Sequence, residues 1–210
     1  MTCDTTIDAL LDRLTELAGQ TRRSFVALAG APGAGKSHVA EQLAAGLASR
    51  APGQAAILPM DGYHLDDGLL EQRGDRLRKG APHTFDLDGF AAMLERLAAD
   101  DGRPVLVPVF DRSIEIARAA AREIPASARL IIAEGNYLLL DRPGWSELAR
   151  RFDLTVFIDV PEEILRKRLA ARWAGTEATE AMQKLEGNDL PNMRLVARHS
   201  RPADLRLPNG

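Results

Sequence analysis

The sequence predicts an α/β protein, a parallel sheet with helices on both faces. Three observations carry that expectation. Short, almost wholly apolar runs such as Ser24–Ala29 (SFVALA) read as strands buried on both faces. Stretches with apolar residues every three or four positions alternate with them and read as helices. A glycine-rich turn ending in Lys36-Ser37 joins the first such strand to the first long helix. Strands alternating with helices give parallel strands joined by crossovers.

Each element has its own signal. Residues 4–18 carry Ile7, Leu10, Leu11, Leu14 and Leu17 at helical spacing, and Gly19 ends the pattern. After SFVALA, the apolar positions Val39, Leu43 and Leu47 mark a helix from Lys36 to Arg50. A second buried strand, Ala55 to Pro59, ends at Met60-Asp61-Gly62. Residues 62–86 are polar and basic, a long loop with room for a short helix, and a helix follows over about 87–99. Val105–Val109, Leu130–Ala133 and Leu154–Val160 complete five expected core strands. Pro161-Glu162-Glu163 opens the next helix, with proline in the first turn and acids on the positive dipole end. Residues 174–189 read as a mobile lid, before a helix near 190–199 and a short strand near 204–207. No repeat or linker divides the chain, so one domain over residues 1–210 is expected.

The 210 residues are 45% hydrophobic and 27% charged, a globular balance. A net charge of -3 gives no basic excess for a nucleic-acid partner. The single cysteine, Cys3, excludes an internal disulfide and argues against a cysteine metal site. The acidic, amphipathic N-terminus is unlike a signal peptide, and no apolar run approaches the roughly 20 residues of a membrane span. A cytoplasmic protein with no membrane partner is the expectation.

Gly30-Ala31-Pro32-Gly33-Ala34-Gly35-Lys36-Ser37 fits G-x-x-x-x-G-K-[ST], the phosphate-binding P-loop. Backbone N–H groups can wrap a diphosphate only where no Cβ blocks the approach, hence the glycines. The helix starting at Lys36 points its positive end at the phosphates. Lys36 would reach the outer phosphates, and the Ser37 hydroxyl would ligate Mg²⁺. His38 follows on the same helix and completes the candidate ATP-binding segment. The expected fold is therefore a three-layer P-loop NTPase fold with a five-stranded parallel core and a lid.

P-loops serve many chemistries. The Asn-Lys-x-Asp motif of a guanine-specific switch is absent, and Asp86-Leu87-Asp88-Gly89 reads as a capped helix start. Asp61 and Glu134 each stand just past a core strand, at the sheet edge where open α/β sheets bind ligands. One such carboxylate could take a proton from an attacking hydroxyl, and the other could hold Mg²⁺ or its water.

Further segments carry a family resemblance. Met60-Asp61-Gly62-Tyr63-His64, Arg78-Lys79-Gly80-Ala81-Pro82-His83-Thr84-Phe85-Asp86, Pro108-Val109-Phe110-Asp111 and Glu134-Gly135-Asn136-Tyr137 occur in that order. Together they resemble the small-molecule P-loop kinases, the group of uridine kinase, phosphoribulokinase and type I pantothenate kinase. The nearest likeness is to bacterial fructose transport system kinases. The resemblance implies Asp61 as general base and Glu134 as a metal-shell acid, with Asp61 beside the metal. It places Tyr63, His64, Arg78, Lys79 and His83 in the acceptor pocket. It implies a sugar such as fructose as acceptor, then a nucleoside or a pantothenate-like alcohol, and a homodimer. The continuation Arg112-Ser113-Ile114-Glu115 differs from the histidine and arginine of uridine kinase.

The remaining candidates have two readings each. Arg78 and Lys79 either bind an anionic group or belong to a solvated loop. Arg168 and Arg172 either reach the transferring phosphate on lid closure or offset Glu162 and Glu163. Asp111, Arg112, Asn136 and Tyr137 lie at strand ends and suit acceptor contacts. Asn188-Asp189-Leu190-Pro191-Asn192 reads as a helix cap, and Trp145 and Trp173 as core. The competing class is a regulatory switch that hydrolyses ATP and signals to a protein partner.

Overall fold

A computed structural model describes residues 2–210. The chain runs β1 (Cys3–Asp4), α1 (Ile7–Ala18), β2 (Ser24–Ala29), α2 (Lys36–Arg50), β3 (Ala55–Pro59), α3 (Asp67–Arg73), α4 (Leu87–Ala98), β4 (Val105–Asp111) and β5 (Ile116–Ile124). It continues through β6 (Leu130–Gly135), α5 (Trp145–Leu148), β7 (Leu154–Asp159), α6 (Glu162–Arg172), α7 (Ala178–Lys184), α8 (Leu190–His199) and β8 (Leu205–Pro208). Six strands form one parallel sheet in the order β1-β8-β7-β2-β6-β3.

β2 and β6 occupy the middle, and all their residues are buried, as two-sided apolar runs must be. Their register pairs Leu28 with Glu134 and Ala29 with Gly135, which brings the acid level with the start of the P-loop. β3 pairs with β6 so that Pro59 faces Glu134, and Asp61 follows two residues on. Three strand ends therefore deliver the P-loop, Asp61 and Glu134 to one sheet edge.

The sheet departs from the expected five strands. β1 and β8 add to one edge, while Val105–Asp111 leaves the sheet and pairs antiparallel with β5, a strand not foreseen. Pro108 is the physical reason on the β4 side. It has no N–H for a ladder and sits where the register shifts between Val107 and Val109. The hairpin rests against the turn after β3, and a Cβ on Gly62 would stand 2.4 Å from the Pro108 carbonyl oxygen. Only glycine permits that approach, which brings the hairpin tip over Asp61.

The segment expected to form a lid is largely helical. Residues 174–189 contain α7 and a wide turn, Leu185–Asp189, that runs into α8. Asn188 and Asp189 thus lie within a helical run, and the Asp189 side chain makes no cap. Pro191 has no N–H to give the preceding turn, and the wider turn before it absorbs that loss. The 62–86 segment closes on itself through a His64–Phe85 bridge and the bonds Leu65 N–H to Thr84 O (2.9 Å) and Asp86 N–H to Tyr63 O (2.8 Å).

Candidate active site

A cavity of about 970 Å³ opens at the carboxyl edge of the sheet. The P-loop forms its floor. Gly33 and Gly35 have φ of +83° and +85°, a region that side chains disfavour. Gly30 packs so closely on β7 that a Cβ would lie 2.8 Å from the Ile158 carbonyl. Gly35 caps α2 without a side chain, so the first helical N–H groups are left for a ligand.

The Lys36 ammonium donates to Ala31 O (3.0 Å) and Asn136 Oδ1 (2.5 Å). Burial lowers its pKa to about 8, against the attraction of Glu134 and Asp61. Ser37 Oγ donates to Glu134 Oε1 at 3.2 Å. Burial and the Asp61 charge push Glu134 up to about 7. Asp61 is held oppositely. Burial raises it, but His64, Arg112 and Lys36 together leave it below the ordinary carboxylate value. His64 is itself lowered by burial, so the lasting counter-charge is Arg112, 2.6 Å from Asp61 Oδ2. Burial and neighbouring charges thus move the two carboxyls in opposite directions.

Other expected residues join this cavity. His64, whose Nδ1 lies 2.7 Å from Asp61 O, stacks between Phe85 (4.2 Å) and Phe110 (4.4 Å). Lys79 pairs with Asp67 at 2.5 Å and donates to Glu115 O at 2.6 Å. Arg168 and Arg172 line the wall. Arg168 reaches the Gly33 carbonyl (3.4 Å) and the Asn209 carbonyl (3.2 Å), so it braces the P-loop.

Five expected acceptor residues do not line the cavity. Tyr63 is buried against Phe90 at a ring distance of 4.9 Å. Tyr137 is fully buried and its hydroxyl donates to Gly80 O (2.6 Å), so it supports the wall from behind. Arg78 turns inward, where its Nε is unpartnered among the described residues. His83 faces Asp75 on the surface, and Asp111 accepts from the Ser113 hydroxyl (2.6 Å).

The structure adds residues that had been read as cap or core. Trp173 lines the cavity, and its Nε1 donates to Asp189 Oδ2 (2.8 Å). Asn188 donates to Lys79 O (2.6 Å) and accepts from Asn192 (3.0 Å). The available signal was the i, i+4 spacing of Asn188 and Asn192, polar residues in a helix whose Leu190, Met193 and Val196 are core.

A cation at Ser37 would need the nucleotide phosphates to complete its shell. Among the described residues no group of three or more His, Cys, Asp or Glu could hold one. Ser37 Oγ beside Glu134, with Asp61 near, fits a cation held mainly by phosphate.

Comparison with known proteins agrees with this architecture. No family model matches the chain. It is 32% identical over 209 residues to a putative uridine kinase of Schizosaccharomyces pombe, covering 95% of this chain and 89% of that one. It is 36% identical over 188 residues to the protein YggC of Escherichia coli, covering 88% and 77%. Among solved structures, a putative fructose transport system kinase from Silicibacter sp. TM1040 superposes with a TM-score of 0.87 at 42% identity, covering 96% and 98%. YFH7 of Saccharomyces cerevisiae shares the fold, with a TM-score of 0.79 at 19% identity, covering 97% and 99%. The chain belongs to the family of P-loop kinases that includes the uridine kinase relative. It is an ATP-dependent kinase with a small-molecule substrate. Among the described residues no helix is long and apolar enough to cross a membrane.

Proposed function

We propose that the protein transfers the γ-phosphoryl group of ATP to a hydroxyl of a small metabolite, with a sugar such as fructose as first candidate. The observation that carries this is the shared cavity, where Asp61 and Glu134 flank Lys36 and Ser37 and a walled space extends beyond them. The fructose assignment is supported by the name of the 42% identical relative.

In the proposed reaction the acceptor oxygen bonds to the γ-phosphorus. The bond to the bridging oxygen breaks, and its electron pair leaves with ADP. The hydroxyl proton passes to the Asp61 carboxylate. Mg²⁺ held by the phosphates, Ser37 and Glu134 would neutralise developing charge. Lys36 binds the outer phosphates, and Arg172 lies where it can offset the transferring group, since its charge acts on both Lys36 and Asp61. Arg112 bonds Asp61 Oδ2 alone, so Oδ1 is the oxygen left to take the proton.

The test is coupled ADP release from Mg-ATP with fructose, other sugars, uridine, pantothenate and glycerate. One acceptor should raise turnover well above the blank, and Asp61→Asn should remove the increase. Turnover indifferent to every acceptor and to Asp61→Asn would favour the regulatory switch.

A further inference from the structure

Part of the cavity wall has no task in phosphate transfer. Asp189 is 8% exposed, Asn188 9% and Asn192 2%. All three line the cavity that holds Asp61. Among the described residues the Asp189 carboxylate has one hydrogen bond, from Trp173 Nε1 to Oδ2. A buried carboxylate with a free oxygen calls for further donors. Asn192 gives one N–H to Asn188 and keeps its amide oxygen. The wall therefore offers mainly hydrogen-bond acceptors to the cavity.

Its charges agree. Two of the cavity's cations, Lys79 and Arg76, are tied to Asp67, at 2.5 Å and 2.7 Å. Lys79 also spends a donor on Glu115 O. The Glu115 side chain lines the same space and adds a second carboxylate. Arg172 lines the cavity between the two ends, since its charge acts on Lys36 and Asp61 as well as on Asp189.

We propose that Asp189, with Asn188 and Asn192, forms the specificity wall of the acceptor site and takes a neutral polyhydroxy compound. Its hydroxyls donate to the free Asp189 oxygen and the Asn192 carbonyl. A carboxylate- or phosphate-bearing acceptor would set its charge against the Asp189 and Glu115 carboxylates and is disfavoured relative to a neutral one. This rests on the kinase reading only in calling the occupant an acceptor.

Binding tests it without catalysis. Saturation-transfer NMR on the full chain with Mg-ADP would use D-fructose, D-ribose and uridine as neutral probes, and D-glycerate and D-pantothenate as anions. At least one neutral probe should bind, and the anions should not. Asp189→Asn should weaken the neutral ligand by about tenfold or more with ADP affinity unchanged, since a hydrogen bond to a charged group is lost. The same variant should improve anion binding, a gain that general loosening does not produce. Glu115→Gln should shift the anions in the same direction and serves if Asp189→Asn fails to fold. Binding of an anion alone, of no neutral probe, or with no response to Asp189→Asn or Glu115→Gln, overturns the proposal. A neutral ligand that binds but never drives ADP release leaves the wall standing and defeats the kinase reading. Turnover of glycerate or pantothenate alone does the reverse.

Discussion

The nucleotide end and the acceptor end of this cavity are built in opposite ways. The P-loop is eight consecutive residues, and its shape follows from local rules: glycines at positive φ, a helix start, a lysine folded back on its own loop. The acceptor wall is assembled from three distant pieces: the turn and loop after β3, the β4–β5 hairpin, and the run from Trp173 to Asn192. Its contacts are long-range, such as Asn188 to Lys79 and Tyr137 to Gly80. A local device can be kept unchanged while the assembled wall is altered.

The largest effect expected from separating the two ends is that of Asp61→Asn. Acceptor-dependent turnover should fall by about 10²–10⁴, the contribution of a positioned base, while ADP titration shows unchanged affinity. A parallel loss of nucleotide binding would mean that Asp61 serves the phosphate end instead. Gly62→Ala comes next. Its Cβ would collide with the Pro108 carbonyl, so the hairpin must shift at about 1–3 kcal/mol of stability, read by thermal or urea unfolding. Acceptor turnover should drop further than nucleotide affinity.

The nucleotide end should show its own pH signature. Phosphate favours the charged Lys36, whose pKa in the free protein is about 8. ADP affinity without magnesium should be flat for this group below pH 8. It should decline above that by at most about tenfold per pH unit, as the proton is lost from the free protein first. Calorimetric titration from pH 6.5 to 9.5, bounds set about the Lys36 value, measures the decline, and Lys36→Met should abolish it. The smallest effect is that of Tyr137→Phe, which removes the bond to the Gly80 carbonyl at about 1 kcal/mol of stability. It should raise the acceptor KM slightly and leave ADP binding alone, and a nucleotide effect would mean that the two ends are coupled.

Legibility followed the same divide. The P-loop, Asp61 and Glu134 were readable because each is fixed by a contiguous motif or a strand end. β5 was not, since IARAAAREI offers neither apolar alternation nor strand-forming composition. It forms because β4 supplies a ladder and the hairpin packs on the turn at Gly62. Tyr63, Tyr137 and Arg78 stand next to cavity residues in the chain, yet they turn inward. Adjacency in sequence does not fix the direction of a side chain in irregular backbone.

By itself the sequence determined an α/β sheet, a phosphate cradle and two carboxylates at its edge. Those features depend on backbone geometry and hydrophobic period, which act over a few residues. Only the tertiary structure decided that Arg112 pairs with Asp61, that Asp67 occupies Lys79, and that Trp173 and Asp189 face the cavity. Those outcomes depend on which distant side chains burial brings within hydrogen-bond range, and no local pattern carries that information.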